Sequence, residues 1–170
     1  MLLILNSMRN KLTITLGLKS SYNKNRKRTV GEDTNLYGIF WNIKASPRAL
    51  HFAYKVLLNR IATCDNLTKR GVNVISRECV MRGRIEETIQ HLFFNCIFVG
   101  KIWNMCEKWI RIVTIHHNIA KNHFWQFRLL GLTNKSNNLW KCMWIAIVWA
   151  IWTHRNNIIF RSSVTDRGGI

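Results

Sequence analysis

Two cysteines and a histidine carry the strongest chemical signal in this chain: Cys79, His91 and Cys96. Thiolate sulfur and imidazole nitrogen are the donors zinc takes in tetrahedral sites, and a Cys-x2-Cys gap lets one turn supply two of them. Three residues beyond Cys79, where a second cysteine would complete such a pair, stands Arg82. The pattern is Cys-x2-Arg-x8-His-x4-Cys, a knuckle with a cation at one of its four positions. A guanidinium stays protonated, cannot coordinate and repels a metal ion. On spacing alone, the reading as buried thiols and a surface histidine is the stronger one.

The elements that must position these residues are mostly helical. Ser46-Pro47 is a helix start, because serine accepts an orphan backbone N–H and proline loses nothing at the first helical position. Leu50, Tyr54, Leu57 and Ile61 follow at spacings of four, three and four, with Arg48, His51 and Lys55 on a neighbouring face. Thr63 is placed to cap a short second helix, and Gly71 after Arg70 to stop it. Alternation in Val72–Cys79 and a turn at Gly83 predict a small β-hairpin around 74–85 that carries Cys79. Glu86 and Glu87 suit a helix N-terminus. Two further apolar stripes come after them: Phe98, Ile102, Met105 and Trp109, then Trp140, Trp144, Ile147 and Ile151. The tryptophans read chiefly as core, with a base-stacking platform as the alternative.

Composition sets the class. The 170 residues fit one domain, and 48% hydrophobic content supplies a core. Nine glycines and one proline favour helices over a many-turned sheet. Lys and Arg number 26 against 8 acidic residues, a net charge of +18, so the expected partner is a polyanion such as RNA or DNA. Eight carboxylates are too few to favour a two-metal phosphoryl-transfer site, and no hydrolase signature is present, so the chain reads as a non-enzyme. Five cysteines, an odd number, and an apolar start with no basic n-region point to an intracellular protein of nucleus or cytoplasm, not a secreted one. The uncharged run from Cys142 to Thr153 falls short of the ~20 residues a bilayer span takes, which disfavours a membrane partner.

The stretch from Leu57 to Val72, read together with the Cys/His set, resembles the zinc-binding domain of reverse transcriptases from plant non-LTR (LINE-type) retroelements. The resemblance is carried by Trp41, Pro47, the Thr63, Asp65, Leu67 frame, Arg70-Gly71, Cys79, Glu86-Glu87, His91-Leu92-Phe93, Cys96 and Trp103. Trp149-Ala150-Ile151-Trp152, Arg155-Asn156 and Phe160 look like the tail often found after that domain. The likeness covers about 40–161 and is specific between Leu57 and Trp103. It implies zinc ligands at Cys79, His91 and Cys96, and a polymerase chain as neighbour. Three positions depart from the pattern: Arg82 stands for the second ligand cysteine, Arg48 for a lysine, and Cys64 for a usually basic residue. With Arg82 at the fourth position the family's zinc site is degenerate, and zinc retention is expected to be weak.

The expected architecture is a mainly α, single small helical domain over 37–161, with a short β-hairpin bearing the degenerate knuckle. A basic N-terminal segment (1–36, including the run from Lys24 to Arg28) precedes it, and a tail (162–170) follows. The expected function is non-catalytic nucleic-acid binding of low sequence specificity, with phosphate contacts from Arg48, Lys55, Arg60, Lys69, Arg70 and Arg84. Two rivals stand beside it: a structural or interaction remnant with no dedicated ligand, and membrane association through the Trp-rich helix at 139–160.

Overall fold

A computed structural model describes residues 38–81, 83–110, 117–126 and 134–165, with no side-chain account at 110, 134–136 and 161–165. The basic run Lys24 to Arg28 and Arg82 lie outside these residues. Helix α1 (Pro47–Leu57) starts where the sequence says: the Ala49 N–H donates to Ser46 Oγ at 3.3 Å, with Pro47 in the first turn. Its buried face is Ala49, Leu50, Phe52, Ala53 and Val56, so Tyr54 and Leu57 lie only at the margin of the core. Asn59 takes a left-handed conformation (φ 53°) and breaks the helix before Ile61, which is buried by the chain that follows.

Helix α2 (Cys64–Lys69) ends as expected at Gly71 (φ 79°), whose N–H donates to Thr68 O while that of Val72 reaches Leu67 O. A π-helical turn (His91–Asn95) leads into α3 (Ile97–Ile110). Helix α4 (Ala120–Trp125) and the long α5 (Asn134–Thr165) follow, α5 running beyond the expected boundary at 161, and residues 38–41 before α1 are helical as well. α1 packs on both α5 and α4.

The hairpin and the buried face of α3 differ from expectation. No strand occurs among the described residues; the 74–85 hairpin reduces to one antiparallel bridge between Glu78 and Glu86. Gly83 and Arg84 both adopt positive φ, so a turn does form there, but the pairing beyond it stops at that one bridge. Val72, Ile75 and Ile85 are exposed, so no apolar face rewards extension. On α3 the buried face is Val99, Ile102, Trp103 and Cys106, whereas Met105 and Trp109 are exposed. Spacings of four, three and four fit two adjoining faces of this helix, and Trp103 decides which one packs. Its indole N–H donates to Phe93 O at 2.7 Å, fixing α3 to the π-helical turn.

The stripe on α5 is buried as predicted, with Trp140, Trp144, Ile147 and Ile151 all at 2% exposure or less. Phe52 of α1 meets Trp149 and Trp152 at ring distances of 5.4 and 5.3 Å. Trp144 contacts Phe124 at 5.0 Å and donates its indole N–H to His123 Nδ1 at 3.1 Å. No helix among the described residues is long and apolar enough to cross a membrane. The Trp-rich helix is the inner wall of the core. Trp144→Ala is expected to lower unfolding free energy by ~3–5 kcal/mol, as aromatic truncation in packed interiors does, measured by urea denaturation. A loss below about 1 kcal/mol would place the indole outside the core.

Candidate metal centre

Cys79, His91 and Cys96 converge. One donor atom from each lies within 4.8 Å of the others, and all three residues are buried. Cys79 sits in the loop closed by Gly83 and Arg84. Its N–H donates to Ile85 O, and its carbonyl accepts from the Gly83 N–H. His91 and Cys96 come from the two ends of the π-helical turn, where the Cys96 N–H donates to His91 O at 2.8 Å. In an α-helix, residues five apart diverge by about 140°. The wider i→i+5 closure brings them to one side, which is what a His-x4-Cys spacing requires. Thr88 caps the helical entry, its Oγ1 accepting from the His91 N–H at 3.0 Å. The sequence offered that cap, a threonine three residues before His91, but the acidic pair beside it drew the assignment.

Cys96 directly precedes α3. The Cys79 thiol donates to its sulfur, and the Phe98 and Val99 N–H groups of the first turn of α3 point to it as well. Together they outweigh burial and hold its pKa down at about 5, which favours the thiolate that a metal takes. His91 Nε2 is buried and has no hydrogen-bond partner among the described residues. Two sulfurs and an unsatisfied imidazole nitrogen are the donors zinc selects, and a tetrahedral site with Zn–S near 2.3 Å spaces them by roughly 3.8 Å.

The chain matches the family model described as zinc-binding in reverse transcriptase over residues 17–103. It belongs to the reverse-transcriptase zinc-binding family. Neither a curated protein nor a solved structure shows significant similarity to it. As a member of that family it carries a Cys-His-Cys cluster inside the matched segment. The other buried thiols do not join this cluster. Burial pushes Cys106 up to about 11, with the Glu107 charge adding to it. Cys64 is raised first by burial and then by Glu87.

Glu87 is the residue that spacing did not reveal. Rather than opening a helix, it is wholly buried and paired with Arg155 of α5. Arg155 donates Nη2 to Oε1 at 2.7 Å and Nε to Oε2 at 3.1 Å, a two-pronged grip. The same carboxylate accepts the Cys64 N–H at 3.2 Å and so caps α2 from a distance. Thr63, in the cap position, makes no side-chain cap bond. The Glu87 N–H donates to Arg77 O, tying the pair to the Cys79 loop.

Of the six expected phosphate contacts, Arg48 and Lys55 share the outer face of α1 and have no acidic partner among the described residues. Arg70 donates Nη2 to Arg60 O at 3.0 Å, which puts these two at one corner. Lys69 pairs with Asp65 at 2.8 Å, and Arg84 is exposed on the Cys79 loop. Arg155→Met leaves a buried carboxylate without its cation and is expected to cost ~3–5 kcal/mol. Glu87→Leu with Arg155→Met should recover much of that loss in the same denaturation experiment. A single variant as stable as wild type would show that the pair contributes nothing.

Proposed function

We propose that this chain is a non-catalytic nucleic-acid-binding domain derived from a retroelement reverse transcriptase, with zinc held weakly by Cys79, His91 and Cys96. The observation that carries the reading is the cation surplus left on the surface. Asp65, Glu86 and Glu87 already face Lys69, Arg77 and Arg155. Arg48, Lys55, Arg60 and Arg84 meet solvent with no acidic partner among the described residues, in a chain of net charge +18. Polyanion binding releases the counterions that such a surface otherwise holds. Side chains of this kind grip phosphates and leave base identity unread, so low sequence specificity is expected. Membership of a family named for zinc binding in reverse transcriptase supports a polymerase chain as neighbour. The weakness of the metal site follows from the sequence, which places Arg82 where a fourth donor belongs.

Binding to single strands should weaken linearly in log–log salt plots. Replacing Arg48 and Lys55 together by alanine should flatten the slope by roughly 1.4, at ~0.7 for each phosphate no longer neutralised, with no change in sequence preference. Fluorescence anisotropy across a salt series measures both. A slope unmoved by the double substitution, or no binding at low salt, contradicts the proposal.

A further inference from the structure

The outer face of α1 holds more than charge. Trp41 lies just before α1, and its ring sits 5.2 Å from that of His51 and 5.3 Å from that of Tyr54. A third contact, edge-on to Phe40 at 5.7 Å, joins it to the core. The indole is thus braced by three rings, yet Trp41 remains 42% exposed. Arg48, His51 and Lys55 follow each other at spacings of three and four, so the braced indole borders the basic face directly. The packing therefore fixes the ring and still leaves much of it open to solvent, next to His51 on the face that also carries Arg48 and Lys55.

We propose that Trp41 with Arg48 and Lys55 forms a binding surface for unpaired nucleic acid, one base stacking on the indole while the cations neutralise neighbouring phosphates. This rests on the nucleic-acid reading above and narrows it to single strands. A duplex keeps its base faces stacked inside the helix, so only the phosphate contacts remain available to it. Stacking on an aromatic ring is tolerant of base identity, because every base has a π face. An indole already held by its neighbours loses little freedom when a base covers it. The exposed Trp109 on α3 provides an internal comparison, being 68% exposed on a different helix.

The test compares full-length wild type, Trp41→Leu, Trp41→Phe and Trp109→Leu on a dodecamer of deoxythymidine and on a duplex of equal length. Trp41→Leu keeps an apolar group against Phe40 and Tyr54 and removes the stacking surface. It is expected to weaken single-strand binding about tenfold, with the salt slope and duplex binding unchanged. Trp41→Phe should retain most of the affinity, and Trp109→Leu all of it. Photocrosslinking of wild type to a bromouridine-containing strand should label the peptide that holds Trp41, a readout that needs no variant to fold. Equal single-strand affinity in Trp41→Leu and wild type, with crosslinks elsewhere, overturns the stacking site while leaving phosphate binding intact. Failure of wild type to bind either nucleic acid overturns the underlying reading as well. A Trp41-dependent association with anionic phosphatidylserine vesicles, without one for the dodecamer, would assign the surface to a membrane and overturn the proposal.

Discussion

Arg155 reaches from the last helix to Glu87, a residue whose carboxylate and backbone N–H together tie three parts of the fold. Glu87 accepts two bonds from its guanidinium, caps the first turn of α2 through the Cys64 N–H, and fixes the Cys79 loop through Arg77 O. An ion pair taken out of water is stable only when its remaining donors and acceptors are also met. Here Arg155 also donates to Asn156 Oδ1 and lies 4.8 Å above the Trp152 ring, so the guanidinium is satisfied on several sides. The pair links segments 68 residues apart. With Glu87 so anchored, its backbone bond to Arg77 O holds the Cys79 loop, which has a single bridge and no sheet beneath it, near His91 and Cys96.

The same geometry separates two kinds of stabilisation. Metal sites in small domains commonly supply folding energy themselves. This chain buries an aromatic core that includes Trp103, Trp140, Trp144, Phe93 and Phe124, each at 1% exposure or less. The Cys-His-Cys cluster borders that core: Cys79 and Cys96 pack within it, and Trp103 anchors the turn from which His91 projects. The three donors are therefore held by packing, by the π-helical turn and by the Glu87–Arg155 pair. Charge is divided in a similar way. Arg155 is drawn inside to meet a buried carboxylate, while the cations of α1 remain outside.

Much of this was legible from local pattern. Ser46-Pro47 and Gly71 mark helix ends through backbone chemistry confined to a few residues, and the α5 stripe is buried because it is apolar over four successive turns. The Cys/His set was legible through donor type and resemblance. Pairings across long sequence separations were not. Glu87 looked like an acidic residue at a helix start, and only the fold shows it meeting Arg155. The face of α3 was misassigned because Met105 and Trp109 have the right spacing, whereas the bond from Trp103 to Phe93 O selects the adjoining face. The hairpin failed because alternation in Val72–Cys79 describes a strand only where a partner surface buries one side of it.

Under the proposed function, core packing and the Glu87–Arg155 pair suffice to hold the three donors together, and zinc is bound weakly because Arg82 stands at the fourth position of the sequence pattern. The most direct measurement is zinc stoichiometry with a thermal melting curve, taken before and after a mild chelator, on wild type and Arg82→Cys. The account predicts that wild type loses its zinc to the chelator with little change in melting temperature. Arg82→Cys should bind zinc orders of magnitude more tightly and melt in a chelator-dependent way, as a completed four-ligand site does. A wild-type chain that retains one zinc against the chelator, or unfolds when it is removed, would contradict the account.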